Sequence, residues 1–536
     1  MSLIPTRKIL LAVLSGVMLT ASFPPGKMGW IAWFALVPLL KSLEEESPLK
    51  AFRLGIIAGL AHYLTLIYWI IIVLKTYGGL NLIVSSALLL ILSIYLSLYP
   101  ALFSVLVGYL KRARFMAFMT AGIWVSLEYI RARFLTGFPW CLIGYSQSGY
   151  LHLIQITDMV GVYGISFLIL FANALIYMLL FSAGSGAGKR YQGLEICLLI
   201  ALLSIAIFYA NYRLSGDKEQ LKDAKPVKVA IVQGNIDQSI KWDPLYQRDS
   251  LDKYRRLIET THTFKPHLIV WPETAVPFFF QDNSELTEEV YRISGESGTL
   301  MIFGSPAYER VNGSIRYYNR AYWLSGKELS IGHYDKVHLV PFGEYVPLKT
   351  LLPFVHRLVA AAGDFTSGSD LTPMSLPDLP TGMMICYEGI FPELSRAQVK
   401  KGASILVNIT NDAWYGMSSA PYQHLSMSQF RAVENRRPMI RAANTGFSAF
   451  IDSNGRITIK GDLFDEEVLM SEVNVKDANL TFYCRYGDVF VYLILIICLI
   501  RLLYELCYYT SKHSCPKNSF TAETQRTQRK KFYQNS

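Results

Sequence analysis

Long apolar runs alternate with short polar stretches over the first 211 residues, and one further apolar run follows residue 487. A helix needs roughly 20 apolar residues to cross the hydrocarbon layer of a bilayer. The pattern predicts eight membrane spans, near residues 8–22, 28–41, 54–74, 82–110, 115–130, 158–182, 194–211 and 488–507. The first two are short and are separated by Phe23-Pro24-Pro25-Gly26, so a hairpin that enters and leaves the membrane on one side fits equally well.

Residues 212–487 have the mixed polar and apolar pattern of a soluble fold. Short apolar runs predict strands at 227–233, 268–271, 300–304, 317–324, 328–334, 382–386, 404–408, 438–442 and 448–451. Amphipathic periodicity predicts helices at 250–263, 286–294, 393–401 and 423–436. Strands that alternate with helices, and later with hairpins, predict an α/β sandwich whose sheet faces are covered.

These two patterns divide the chain into five parts. We predict a membrane domain of about seven spans at 1–211, a linker at 212–226, an α/β domain at 227–475, a final transmembrane helix at 476–507 and a basic, disordered tail at 508–536. A loop at 361–370 is predicted to be either a lid or an ordinary surface loop.

The formal net charge of +10 is concentrated on one set of alternating loops and on the tail. That set carries Arg7, Lys8, Lys41, Lys50, Arg53, Lys111, Arg112, Arg114, Lys189 and Arg190, with six further basic residues after Ser511. The opposite set carries chiefly Lys27, Lys75, Arg131 and Arg133. Because basic loops stay in the cytoplasm, we expect both termini inside and the α/β domain outside, in the periplasm of a bacterium. Membrane topology explains the charge better than nucleic-acid binding does.

Three strand ends in the α/β domain each carry a distinctive polar residue: Glu273, Lys336 and Cys386. A carboxylate can accept the thiol proton, and an ammonium can stabilise the oxyanion that forms when a thiolate attacks a carbonyl. Taken singly, each residue has a structural interpretation, because a lone cysteine is often a small buried hydrophobe. The seven cysteines form no CxxC pair and predict neither a metal site nor a disulfide framework.

Together the three residues resemble the Glu-Lys-Cys triad of the nitrilase superfamily. The likeness extends to the run from Lys336 through Glu344 to Pro347, which carries that superfamily's second glutamate, and to Asn411-Asp-Ala-Trp-Tyr-Gly416. A nitrilase-like domain before a last membrane span is similar to the apolipoprotein N-acyltransferase family. Further motifs of that family are Lys241-Trp242, Gln423-His424, Phe138-Pro-Trp140 and Arg441-Ala-Ala-Asn444. The resemblance implies an αββα sandwich fused to a multi-span membrane domain.

The resemblance also implies a two-step acyl transfer. A fatty acyl chain would pass from the sn-1 position of a phospholipid, such as phosphatidylethanolamine, to the Cys386 thiol, and then to the amino group of a lipoprotein's diacylglyceryl-cysteine. Glu273 would be the general base and Lys336 the oxyanion partner, with a backbone N–H near Tyr387. Glu344 would either orient Lys336 or help to deprotonate the amine. Glu388 belongs to the same motif as Cys386, and Trp242 and Tyr387 are expected to contact acyl chains.

Two other interpretations remain open from the residues alone. A membrane-tethered amidase or nitrilase would use the same triad on a small substrate with a C–N bond. A receptor would use an inactive domain of this fold as a binding module, but the intact triad disfavours it. For the acyltransferase, no metal or organic cofactor is implied, the partners are the two lipid substrates, and a monomer is expected.

Overall fold

The computed structural model describes residues 4–110, 114–181, 186–215, 224–325, 331–347, 364–376, 379–476 and 479–514. Most of the predicted tail, the middle of the predicted linker (216–223) and the start of the predicted loop (361–363) therefore lie outside the described residues.

The helices of the first 215 residues overlap the predicted spans, and the second and third spans differ from the prediction. They are α1 (Thr6–Ala21), α2 (Val37–Ser42), α3 (Pro48–Leu66), α4 (Ile70–Ile72), α5 (Leu82–Tyr109), α6 (Met116–Arg133), α7 (Leu151–Ile154), α8 (Thr157–Phe181) and α9 (Gly186–Ser215). Within the described ranges, four helical stretches are long and apolar enough to cross a membrane: Pro48–Leu66, Leu82–Tyr109, Thr157–Phe181 and Tyr191–Ser215. The count of eight spans stays a prediction.

The second predicted span, residues 28–41, is not one helix. It forms a 3₁₀ turn at Gly29–Trp33, a break, and then the six-residue α2. Pro38 lies in the first turn of α2, where proline is tolerated, but its ring would clash with a helix arriving from residue 34. A stretch of 14 residues would also rise only about 21 Å, less than the roughly 30 Å of a hydrocarbon core. Residues 28–41 therefore do not form one continuous helix, and whether they cross the membrane or return on one side stays a prediction.

The third predicted span, 54–74, also ends early. Helix α3 stops at Leu66, and the chain continues through the single turn of α4 and a π-helical turn at Val73–Tyr77. This segment, residues 67–77, leaves the helix bundle and contacts the α/β domain. The Tyr77 hydroxyl donates to the Ala413 carbonyl at 2.8 Å, and the Ser419 N–H donates to the Tyr68 hydroxyl at 3.2 Å.

The α/β domain contains two six-stranded sheets, with strand orders β12-β1-β2-β3-β4-β5 and β11-β10-β9-β8-β7-β6. The strands are β1 (Lys225–Gln233), β2 (Leu268–Val270), β3 (Leu300–Val311), β4 (Ser314–Ser325), β5 (Ile331–Asp335), β6 (Met374–Leu376), β7 (Leu379–Ile385), β8 (Ile405–Thr410), β9 (Met439–Ala443), β10 (Ala449–Ile451), β11 (Ile457–Lys460) and β12 (Glu467–Val475). The helices of this half are α10 (Pro244–Glu259), α11 (Glu285–Ser297), α12 (Pro392–Lys400), α13 (Ala420–Asn435), α14 (Phe482–Tyr486) and α15 (Val489–Ser514).

Three apolar layers hold this domain together. The sheets face each other through buried branched residues such as Ile231, Val270, Ile385 and Val407. The outer face of the first sheet packs on α10 and α11, and that of the second packs on α12 and α13. The arrangement is therefore αββα, which confirms the predicted fold class.

The membrane domain and the α/β domain share one apolar core. Side chains from α13 and from the turn after β7, including Phe430 and Tyr387, belong to the same buried cluster as Tyr145 and the membrane helices. Polar contacts reinforce this junction at Asp158, at the start of α8. Its fully buried carboxylate accepts hydrogen bonds from Tyr209 and Arg213 on α9 and from Arg436 at the end of α13.

Candidate active site

Glu273, Lys336 and Cys386 lie at the carboxyl ends of β2, β5 and β7. Strands β2 and β3 are parallel, and β5 is antiparallel to β4, which is itself antiparallel to β3. The strands β2 and β5 therefore end at the same edge of the first sheet. Strand β7 supplies Cys386 from the second sheet, so the three side chains meet at the edge of the sandwich, where α/β proteins commonly build their sites.

The carboxylate of Glu273 is held at both oxygens. Its Oε1 accepts from the Asn319 side chain at 2.7 Å, and its Oε2 accepts from the backbone N–H of Asn411 at 2.9 Å. The Lys336 ammonium lies 3.6 Å from Oε1. The side chain is buried, so its orientation is set by the protein rather than by water.

The Lys336 ammonium is almost completely buried and donates to Oε1 of Glu344 at 2.9 Å. Burial alone would lower the pKa of Lys336, but the carboxylates of Glu344 and Glu273 outweigh it, and the pKa is raised. Lys336 therefore stays protonated throughout the physiological range. A permanently charged donor suits the stabilisation of an oxyanion.

Cys386 follows the last residue of β7 and has a left-handed backbone, with φ of 52°. Such a conformation is costly for a residue with a side chain and persists only where neighbouring groups enforce it. Burial and the Glu273 carboxylate raise the pKa of the Cys386 thiol, while Lys336 and the Thr410 hydroxyl oppose them. The resting thiol is therefore protonated and needs a base to become a nucleophile.

Glu344 is fixed by three donors. Besides the Lys336 ammonium, Oε1 accepts from the Asn319 side chain at 2.8 Å, and Oε2 accepts from the backbone N–H of Val340 at 2.8 Å. One amide, that of Asn319, thus connects Glu273 and Glu344. The prediction from sequence did not include Asn319, since an asparagine within a strand carries no local mark of its role.

Glu388 is fully buried and ties the Lys336 loop to the Cys386 strand. Its Oε1 accepts from the Tyr334 hydroxyl and from the backbone N–H groups of Val337 and His338, and its Oε2 accepts from the N–H of Ile385. Burial raises the pKa of Glu388 to about 7, although the hydrogen bonds from Ile385 and His338 oppose that shift. The Glu388 side chain thus connects the loop after β5, which carries Lys336, to the end of β7, which carries Cys386.

The two aromatic candidates occupy different settings. Tyr387 is buried and packs edge-on against Phe391, with the ring centroids 5.0 Å apart. Trp242 has a side chain that is about half exposed at the surface. Its neighbour Lys241 is buried instead, and its ammonium donates to the backbone carbonyl of Glu273 at 3.2 Å.

Lys241 is a site residue that the sequence signalled only as part of the Lys241-Trp242 motif. Burial lowers its pKa to about 8, and the Glu273 carboxylate opposes this shift. The loop that carries it is held by Asn411, whose side chain donates to Gln238 at 2.6 Å. Asn411 therefore fixes both the Glu273 carboxylate and the loop behind it.

Membrane-domain residues reach the floor of this site. The indole N–H groups of Trp69 and Trp140 both donate to the Gln423 side chain, at 3.2 and 2.7 Å. The rings of Trp69 and Tyr415 pack edge-on with centroids 4.9 Å apart. Trp414 packs edge-on against Tyr77 of the segment 67–77 in the same way. The site thus lies beside the segment where the chain leaves the helix bundle.

The described part of the predicted loop 361–370 is bonded to the backbone of the site. The N–H of Phe365 donates to the Glu344 carbonyl at 3.0 Å, and the N–H of Gly368 donates to the Lys336 carbonyl at 2.8 Å. Whether this stretch opens as a lid stays a prediction.

Comparison with known proteins gives two family matches. Residues 15–175 match the apolipoprotein N-acyltransferase N-terminal domain, and residues 228–482 match the carbon-nitrogen hydrolase family. The chain is 47% identical to the apolipoprotein N-acyltransferase of Geobacter metallireducens over 91% of this chain and 93% of that protein. It is 32% identical to that of Pasteurella multocida, over 90% and 92%, and 33% identical to that of Methylococcus capsulatus, over 90% and 93%.

Proposed function

The chain belongs to the apolipoprotein N-acyltransferase family, and from this premise we propose that it acylates lipoproteins through a thioester on Cys386. The acyl donor is a phospholipid, such as phosphatidylethanolamine, which gives up its sn-1 chain. The acceptor is the free amino group of a diacylglyceryl-cysteine at the N-terminus of a lipoprotein. The reaction is the final step in the maturation of that lipoprotein.

The observation that carries the proposal is the meeting of three groups in one buried site. A protonated thiol, a carboxylate fixed at both oxygens and a permanently charged ammonium lie together beside the membrane domain. This set supplies a nucleophile, a base and an oxyanion partner. The position of the site next to the segment 67–77 supports the proposal that the substrates arrive from the bilayer.

In the first half-reaction, Glu273 accepts the thiol proton as the sulfur attacks the ester carbonyl carbon. The negative charge that develops on the carbonyl oxygen is stabilised by the Lys336 ammonium and the backbone N–H of Tyr387. The tetrahedral intermediate collapses with loss of the lysophospholipid oxygen, which takes the proton back from Glu273. Cys386 is left as an acyl thioester.

In the second half-reaction, the acceptor's neutral amine attacks the thioester carbonyl, and Glu273 accepts a proton from the nitrogen. The same donors stabilise the second oxyanion. The sulfur then leaves and is reprotonated from Glu273, which restores the resting site. Because the site is buried and excludes water, transfer of the acyl group to the amine is favoured over hydrolysis of the thioester.

Supporting residues follow from their contacts. We assign Glu344 to orienting Lys336, because all its hydrogen-bond partners are donors fixed in the resting site. Glu388 keeps the loops of Lys336 and Cys386 in register. We assign Trp242, which is half exposed beside Lys241, to contact with an acyl chain.

The family membership and the four apolar stretches make this a membrane protein. We propose that it lies in the inner membrane of a bacterium, with both termini in the cytoplasm and the α/β domain in the periplasm. The positive loops support this orientation. We also propose that it acts as a monomer.

The direct test is intact-protein mass spectrometry of the detergent-purified protein after incubation with phosphatidylethanolamine. The wild type should gain one fatty-acyl mass, which a diacylated lipopeptide then removes as a triacylated product. The Cys386→Ala variant should gain none. Absence of the adduct in a wild-type preparation that releases ammonia from a small amide would overturn the proposal in favour of a tethered amidase.

A further inference from the structure

A buried polar cluster beneath Cys386 is not used by the chemistry described above. It contains His424 on α13, Asn408 on β8, Arg441 on β9 and Asp412 in the turn after β8, all almost completely buried. Burying so many polar groups is costly unless each is paired. The cluster therefore calls for a role in positioning, and its contacts lead to one atom of the nucleophile's own backbone.

That atom is the carbonyl oxygen of Cys386. It accepts from the side-chain amide of Asn408 at 3.2 Å and contacts Nε2 of His424 at 3.2 Å. Because a carbonyl oxygen only accepts hydrogen bonds, Nε2 of His424 must carry the proton. The side chains of Asn408 and His424 thus fix the Cys386 carbonyl through two hydrogen bonds.

The other ring nitrogen of His424, Nδ1, lies between two charged groups. Arg441 donates to Nδ1 of His424 at 3.0 Å, and Oδ1 of Asp412 lies 3.1 Å from the same nitrogen. Arg441 also pairs with Oδ2 of Asp412 at 2.8 Å. Burial and the Arg441 charge lower the pKa of His424, and Asp412 opposes them. The proton on Nε2 is therefore assigned from the contact with the Cys386 carbonyl, which needs a donor whether Nδ1 accepts from Arg441 or donates to Asp412.

The grip on the carbonyl also sets the direction of the next N–H. A trans peptide is planar, and its C=O and N–H groups point in opposite directions. With the Cys386 carbonyl directed at His424 and Asn408, the N–H of Tyr387 points away from them. This N–H is the second of the 3₁₀ helix Cys386–Ile390, and the first N–H groups of a helix have no partner within it.

We propose that His424, assisted by Asn408, is a positioning residue that holds the Cys386 carbonyl and thereby aims the Tyr387 N–H at the oxyanion. The proposal rests on the acyl transfer proposed above. It explains why the left-handed backbone of Cys386 is maintained, since two side chains from neighbouring elements enforce it. It also couples the nucleophile to the membrane domain, because the Trp140 ring lies 5.8 Å from the ring of His424.

The test compares His424→Phe, which keeps a ring but loses the donor, with His424→Gln, whose amide nitrogen can replace Nε2. Removing a donor from an oxyanion site typically lowers kcat 100- to 1000-fold, and misdirecting one should cost less, about 10- to 100-fold. We expect His424→Phe to lower the rate of thioester formation from phosphatidylethanolamine by that factor, with KM changed less than threefold. His424→Gln should recover most of the rate.

Alkylation of Cys386 by iodoacetamide provides the second readout, because that displacement forms no oxyanion. Its rate should change less than threefold in His424→Phe if only the N–H has been misdirected. Asn408→Leu, which removes the other grip, should reproduce the selective loss if His424→Phe does not fold. His262→Phe, at an exposed position on the same domain, is the matched control.

Two results would overturn the inference: a normal acylation rate in folded His424→Phe or Asn408→Leu, or a parallel loss of acylation and alkylation. Failure of the wild type to form the thioester would instead count against the proposed function, so the two failures are distinguishable.

Discussion

At the scale of single residues, the protonation states of the buried lysines in the site depend on the carboxylates near them. Lys336 stays protonated because two carboxylates outweigh its burial. Lys241, with the backbone carbonyl of Glu273 as its partner, has a pKa lowered to about 8. Two lysines of one site therefore differ in the direction of their pKa shift, and the difference comes from the number of carboxylates near each ammonium.

The Glu344→Gln substitution tests the first of these charges. Without the Glu344 carboxylate, the pKa of Lys336 should fall, because the largest of the charges that oppose the effect of burial is lost. Since the protonated ammonium is the proposed oxyanion partner, the variant should lose thioester formation at a lower pH than the wild type does. A rate profile from pH 6 to pH 10 would measure this shift of the alkaline limb.

At neutral pH the same variant should be about 10-fold to 100-fold slower, because the ammonium is no longer held at 2.9 Å from a carboxylate. The Glu466→Gln variant, whose carboxylate pairs with Lys253 and Arg256 at the surface, is the control. An unchanged alkaline limb in Glu344→Gln would contradict the assigned role.

The Lys241→Met substitution tests the lowered pKa of the Lys241 ammonium through the pH dependence of the free energy of unfolding. The pKa of Lys241 is about 8 in the folded protein and about 10.4 in an unfolded chain. The unfolded state therefore binds more protons between these values, and the contribution of Lys241 to stability rises with pH across that window. The wild type should gain about 2 kcal/mol relative to Lys241→Met between pH 7.5 and pH 9.5.

Thermal unfolding of both proteins in one detergent at several pH values would provide the measurement. Lys253→Met, at a partly exposed surface position, should give no such trend relative to the wild type. A constant difference between wild type and Lys241→Met across the window would show that the lysine is not held as described.

At the scale of elements, most strands were predictable and their partners were not. The run at 300–304 correctly predicted a strand, but β3 extends to Val311 and returns as β4 through Asn312-Gly313. Both turn residues have positive φ, 51° and 79°, and Asn-Gly is the sequence signal for such a hairpin. This signal was present and was missed.

Strand β12 had no comparable local signal. It pairs antiparallel with β1, from Lys225 opposite Val475 to Gln233 opposite Glu467. The burial of its side chains alternates only weakly along the strand. The reason is that β12 is the outermost strand of its sheet and lies near solvent. A strand of this kind is fixed by its neighbour rather than by its own pattern.

The Glu388→Gln substitution tests how the elements around the site are joined. Glutamine would turn an NH₂ group toward donors that the carboxylate satisfies, namely Tyr334, Ile385 and the Lys336 loop. An unsatisfied buried donor costs about 1–3 kcal/mol, so a loss of roughly 3 kcal/mol in unfolding free energy is expected together with slower acyl transfer.

Differential scanning fluorimetry and the thioester assay would measure both effects. Glu393→Gln, five residues later in the first turn of α12, changes a partly exposed carboxylate 3.5 Å from Arg133 and is the control. Equal stability of the two variants would contradict the role assigned to Glu388.

At the scale of the whole molecule, the junction of the two domains decides where the site lies. Asp158 pairs with Arg213 on α9 and with Arg436 at the end of α13. Removing one partner of a buried ion pair leaves an uncompensated charge and typically costs about 3–5 kcal/mol. Asp158→Ala should therefore lower the unfolding temperature far more than Asp252→Ala, at an exposed position.

The predicted orientation is a separate test at this scale. A reporter that fluoresces only in the cytoplasm, fused after residue 536, should be active, and one fused after an α/β domain truncated at residue 475 should be silent. Alkaline phosphatase, which is active only in the periplasm, should give the reverse pattern. Cytoplasmic activity at both junctions would overturn the orientation.

The sequence alone determined the class of the protein. Runs of apolar residues and strand periodicity are local, so they predicted the membrane domain and the α/β sandwich, and the motifs around Glu273, Lys336 and Cys386 predicted the family. The tertiary structure alone decided which other residues reach the site. Asn411 is 138 residues from the Glu273 that it fixes, and His424 is 38 residues from the carbonyl of Cys386. A local pattern cannot specify such contacts, because they depend on how two sheets and a helix pack around a shared core.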